Sequence, residues 1–151
     1  MKALTTLLVV GMFLTTVAIA DDVDDVKAAM QRSQVAGNTG DANTEARILL
    51  EEVTSFGFAG GLLERFDLEE ARKNRQAAFD AGLKFNLQDR HIEVSVYGNS
   101  TAVATSYRVG TITLPNGNTV RPNNRITTVL IKQGGQWKVV HRHLSPLSLA
   151  Q

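Results

Sequence analysis

Arg125-Ile-Thr-Thr-Val-Leu-Ile-Lys-Gln-Gly-Gly-Gln-Trp-Lys-Val-Val-His-Arg-His-Leu-Ser-Pro146 is the stretch whose reading decides the fold. It reads as two antiparallel strands joined at Gly134-Gly135, because glycine supplies the positive φ that a tight hairpin turn needs. In the first strand Arg125, Thr127, Val129 and Ile131 share one face, opposite Ile126, Thr128, Leu130 and Lys132. Strict alternation in the second strand puts Trp137, Val139, His141 and His143 on one face and Lys138, Val140, Arg142 and Leu144 on the other. Both faces carry apolar side chains. The sheet is therefore expected to be covered by helices on one side, and by a partner or its own curvature on the other.

Upstream the same period continues. Leu83, Phe85 and Leu87 alternate with polar residues, and so do Ile92, Val94 and Val96, but the apolar parity shifts between the two runs. A bulge or bend near Asp89-Arg90 accounts for that shift and curves the sheet. Thr101 to Thr113 reads as a long strand, with turns at Tyr97-Gly98-Asn99 and Leu114 to Asn118. With Val120 to Lys132 and Gln136 to Leu144, these strands make a four-stranded antiparallel meander. Helices come first: Asp21 to Ala36, Glu45 to Val53, and Leu68 to Ala81 capped by Asp67 and closed by Gly82. The glycine-broken stretch Thr54 to Phe66 reads as irregular chain or short strand near a pocket mouth. Helices followed by a long-stranded curved sheet define an α+β fold.

The first twenty residues have the three parts of an export signal: Lys2, the apolar run Leu4 to Val17, and Ala18-Ile19-Ala20 as a cleavage site. Cleavage after Ala20 is expected to leave one domain, residues 21–151, secreted or periplasmic. Of the 16 Lys and Arg, only Lys2 lies in that segment, and the remaining 15 balance 15 Asp and Glu. This neutrality argues against nucleic acid or an anionic membrane as partner. There is no cysteine, which excludes disulfides, a thiol nucleophile and cysteine metal ligands.

The chain resembles the nuclear transport factor 2-like superfamily, in its SnoaL-like branch. Its end is similar to the association domain of calcium/calmodulin-dependent protein kinase II, in Gly135-Gln136-Trp137 followed by Val140-His141-Arg142-His143-Leu144-Ser145. Glu64-Arg65-Phe66-Asp67 before a helix and the Arg-x-Thr-x-Val step from Arg125 to Val129 add to the resemblance. It implies a cone, also called a cystatin-like roll: a curved antiparallel sheet wrapped on N-terminal helices, with a pocket in its open end. It also implies homodimers or larger rings formed through the outer sheet face.

Within that fold Arg125 is the first candidate ligand-binding residue, offering a guanidinium fork to a carboxylate. The resemblance makes Glu64 its alternative, structural partner. His141 and His143 are candidate acid–base residues, Tyr107 a candidate hydrogen-bonding wall residue, and Arg108 falls on the face opposite Tyr107. With His91 the two histidines are the only histidine ligands available to a metal, and neither a metal nor another cofactor is expected. Phe56, Phe58 and Phe66 read as pocket wall or core, Trp137 as core. Ketosteroid isomerase-type relatives use a pocket carboxylate and scytalone dehydratase-like ones a His/Asp pair, yet no carboxylate lies on the strands after Thr101. Three readings stay open: an exported oligomeric domain binding a small polar or anionic molecule; a cofactor-independent isomerase, dehydratase or hydrolase using His143 or His141 with Arg125; and a structural oligomerisation module.

Overall fold

The computed structural model describes residues 10–57 and 61–147, with side chains from residue 21 onward. Residues 1–9 of the expected export signal lie outside the described residues, as does Phe58, and residues 10–20 belong to the first helix. Helix α1 spans Val10–Thr39. Val26, Met30, Ser33 and Ala36 form its buried stripe at helical spacing. Gly40, at φ +76°, turns the chain out of the helix, and the Asp41 N–H bonds back to the Ala36 carbonyl at 2.9 Å. Asp41 then caps the short α2, Ala42–Ala46, by accepting from Thr44 N. No helix among the described residues is long and apolar enough to cross a membrane.

The segment expected to be a second helix, Glu45 to Val53, is mostly strand. Helix α2 stops at Ala46, and β1 runs Leu49–Phe56. Strand β1 pairs in parallel with β7, Gln136–Pro146, some 90 residues away in sequence. Ile48, Leu49 and Val53 fit a helical stripe equally well, so only the distant partner decides between the two forms. Strand β2, Glu64–Asp67, adds antiparallel to β1. Helix α3, Leu68–Asp80, follows, with Asp67 accepting from the N–H groups of Glu69 and Glu70 as expected of a cap.

Strands β3 (Lys84–Tyr97), β4 (Thr101–Thr113), β6 (Asn123–Gln133) and β7 form the expected meander, and β5 (Thr119–Val120) adds to β4. The described strands form one mixed sheet in the order β2-β1-β7-β6-β4-β3. Three local features bend it. The expected parity break in β3 lies between Arg90 and Glu93, with His91 at φ +53°. Gly110 sits at φ +135° opposite Leu87, where any Cβ would overlap the Asn86 carbonyl oxygen. In β7, Val129 pairs His141 while Leu130 pairs Val139, so Val140 is an extra residue.

The core fills one end of the curved sheet. There Val26 and Met30 of α1 meet Ile48, Val53, Ala102, Ala104, Leu130, Trp137 and Val139. Trp137 is core, as expected. The other end stays open between α1, α2, α3 and the concave sheet.

Candidate functional site

The open end holds a cavity of about 410 Å³, the size of a small-molecule site. Its wall is half apolar, with Leu49, Phe66, Phe85, Leu87, Ile126 and Leu144 among the lining residues. Its polar half rests on a framework that α1 sets up. Asn38 exchanges two hydrogen bonds with the backbone of Leu87, at 2.9 and 3.0 Å, and the Asp89 N–H donates to Gln34 Oε1 at 2.6 Å. These side chains satisfy backbone groups along β3, an edge strand, and fix where Asp89 points.

Asp89 and Arg108 face each other across β3 and β4. Arg108 Nε and Nη2 donate to the two carboxylate oxygens at 2.7 and 2.8 Å, and the Asp89 side chain is only 4% exposed. Such a bidentate pair is the geometry in which a buried arginine is tolerated. Three of the four arginines lining the cavity have a carboxylate within 4 Å among the described residues. Arg108 has Asp89, Arg72 has Glu69 at 2.7 Å, and Arg75 has Glu45 at 3.6 Å.

Arg142 has none. Burial first, and then repulsion from Arg108, lower its pKa to about 10, against a smaller opposing pull from Asp89 and Glu45. Its neighbour across the ladder is Thr128, fully buried with an unpartnered hydroxyl. Asn124, beside Arg108, is 4% exposed and its Nδ2 has no acceptor. The Glu45 carboxylate also keeps one buried oxygen, Oε2, without a hydrogen bond. The cavity thus offers one uncompensated cation, one free amide donor and one free hydroxyl, with a carboxylate on the helix side.

Most residues expected to line this space do not. In β6 the inward face is Asn124, Ile126, Thr128 and Leu130, so Arg125 is exposed on the outer face, opposite Tyr107. Tyr107 is 42% exposed and stacks edge-on against His91. Arg108, expected outside, is inside. Trp137 and Val139 face inward as expected, but the extra residue Val140 reverses parity beyond them. Arg142 and Leu144 then line the cavity, while His141 and His143 turn outward beside Phe56, whose ring centroid lies 5.9 and 5.3 Å from theirs. His141 Nδ1 is 2.8 Å from Thr54 Oγ1. Glu64 does reach the cavity mouth, and no Glu64–Arg125 ion pair occurs among the described residues. No group of three or more potential metal ligands occurs among them either. Arg142 was missed because one inserted residue exchanges the faces of a strand, and nothing in Val139-Val140-His141 marks the insertion.

A SnoaL-like domain model matches residues 26–148, nearly all of the chain beyond its N-terminal segment. The chain belongs to the SnoaL-like family. The resemblance stated from Gly135 to Ser145 is thus confirmed at the level of family and fold. Solved structures agree. This SnoaL-like domain is similar to a ketosteroid isomerase-like protein from Erwinia carotovora atroseptica, with 19% identity, TM-score 0.69, and 85% and 98% of the two chains covered. It is similar to a nuclear transport factor 2-like protein of unknown function in nutrient uptake from Rhodospirillum rubrum, with 20% identity, TM-score 0.68, and 82% and 99% covered. A kinase II association-domain-like protein from Xanthomonas campestris matches with 18% identity, TM-score 0.65, and 83% and 87% covered. At such identities the likeness is one of fold. No curated relative matches the chain. SnoaL-like domains are ligand-binding or isomerase- and dehydratase-type modules, which agrees with an open cavity in this fold.

Proposed function

We propose that this SnoaL-like domain binds a small anionic organic molecule, a carboxylate above all, in the cavity at its open end. One observation carries the reading: Arg142 is the cavity arginine without a carboxylate within 4 Å among the described residues. A buried cation without a counter-ion is costly, and a ligand carboxylate relieves that cost. Arg142 takes the role first given to Arg125. Asn124 Nδ2 and Thr128 Oγ1 supply neutral hydrogen bonds, and the apolar wall takes the carbon skeleton.

The test is a thermal-shift series with small aliphatic and aromatic carboxylates on the wild type, Arg142→Met and Arg125→Ala. The expected result is a ligand-dependent rise that Arg142→Met abolishes and Arg125→Ala keeps. A rise that survives in a folded Arg142→Met protein would sink the proposal.

A second reading, a cofactor-independent isomerase or dehydratase, is favoured by Glu45. Its Oε2 lies 3.6 Å from Arg75 Nε without a hydrogen bond, in a cavity that also holds Arg142, an arrangement of a carboxylate base beside a site for developing negative charge. This replaces the version based on His143 or His141 with Arg125. Turnover lost in Glu45→Gln with ligand binding retained would mark it. Export through residues 1–20, and self-association through the outer sheet face, remain parts of the proposal. N-terminal sequencing of the exported protein, expected to begin at Asp21, tests the first.

A further inference from the structure

We propose a second binding site, for a phosphate-type dianion, in the groove between α1 and the β6–β7 hairpin. This groove encloses about 390 Å³ at the far side of the core. Its lining shares only Ser33 with that of the carboxylate cavity. Arg32 comes from α1, Arg47 from the corner between α2 and β1, and Lys138 from the start of β7. Asp25 is the one acidic residue in the lining, so the groove carries a formal charge of +2.

None of the three cations forms a close ion pair: among the described residues none of them has a carboxylate within 4 Å. Elsewhere the fold does make such pairs, as between Lys132 and Asp22 or between Arg72 and Glu69. Lys138 Nζ instead donates to the Arg47 carbonyl, which ties the start of β7 to the α2–β1 corner and holds two positive side chains at one edge of the groove. The Val139 N–H bonds the Ile48 carbonyl at 2.7 Å and stiffens the same corner.

Trp137 forms part of the lining and supplies an independent sign. Its side chain is 4% exposed, and its indole N–H has no acceptor. A buried donor without an acceptor, on a residue that lines the same groove as three cations without close carboxylates, suits an oxyanion. Two guanidinium forks and an ammonium suit phosphate in particular, whose two charges match the +2 of the groove. The ligand class is inorganic phosphate or a small phosphomonoester, the groove having room for a few atoms beyond the phosphate.

Trp137 is the single tryptophan of the chain, so its emission comes from one residue, which lines the groove and packs in the core. The experiment titrates the purified protein with inorganic phosphate and with glycerol 3-phosphate at constant ionic strength set by chloride, reading emission and calorimetric heat. A saturable response is expected. Its half-saturation should rise by about tenfold or more in the double variant Arg32→Ala/Arg47→Ala, both of whose positions are exposed. It should be unchanged in Arg142→Met, which separates this groove from the carboxylate cavity. Tighter binding of glycerol 3-phosphate would identify the organic ester as the ligand type, and equal binding the free anion. The absence of saturation in both signals, or a half-saturation unchanged in a folded double variant, overturns the proposal.

Discussion

At the scale of single residues, the chemistry of the cavity turns on which arginine has a partner. Asp89 holds Arg108, so Asp89→Ala leaves two uncompensated guanidinium groups near each other. Its expected cost is about 3–5 kcal/mol, read by urea unfolding. Arg142→Met should do the reverse. It removes a half-buried charge that has no carboxylate within 4 Å among the described residues, and should hold or raise the stability of the empty protein by about 1 kcal/mol while ligand binding disappears. The depressed pKa of Arg142 sets a pH limit. In the folded protein without ligand this group loses its proton as pH rises through about 10, whereas an unfolded chain keeps it to higher pH. The stability penalty of burying the charge is therefore present in full below about pH 10 and is relieved above it. Anion affinity should follow the charge, flat from neutral pH and falling by about tenfold per pH unit above that pKa. Calorimetric titrations from pH 8 to pH 11 would read this, and an affinity that stays flat would exclude Arg142 as the anchor.

At the scale of elements, what the chain announces depends on how local the deciding interaction is. The start of α3 was legible in Asp67-Leu68-Glu69-Glu70, because a cap acts within three residues. Asp67→Ala is expected to cost about 1 kcal/mol, measurable in thermal unfolding. The bend of β3 was legible because apolar residues lie on both sides of it and change parity. Gly110 was not legible as special, since its requirement comes from Asn86 on the neighbouring strand. Gly110→Ala should destabilise by at least about 2 kcal/mol, by combining an unfavourable φ with a backbone overlap. Strand β1 was misread as helix, because its partner lies at the other end of the chain. The bulge at Val140 was not legible either, and it decides that Arg142 rather than His141 and His143 lines the cavity.

At the scale of the whole molecule, the sheet has a concave side filled by helices, core and cavity, and a convex side on which Val103, Val129, Thr127, Tyr107 and Arg125 are at least partly exposed. Family likeness and this surface together motivate self-association through the convex side, which also carries His141 and His143 on the interior strand β7. Light scattering should give a multiple of the chain mass for the wild type and the single-chain mass for Val129→Glu, with unchanged circular dichroism. A wild type that scatters as one chain would end that part of the proposal.

The sequence by itself determined the α+β class, the meander, the hairpin at Gly134-Gly135, the core role of Trp137 and the family. The class, meander, hairpin and core residue follow from period, turn chemistry and caps, all of which act between near neighbours; the family follows from the resemblance of the last hairpin, Gly135 to Ser145. Only the tertiary structure decided which face of each strand is concave, which arginine goes without a carboxylate, and where β1 finds its partner. A strand with apolar residues on both faces does not say which one is covered, and a single extra residue in β7 exchanges them. Those choices belong to the packing of α1 against the sheet and to the bulge, which no short stretch of the chain contains.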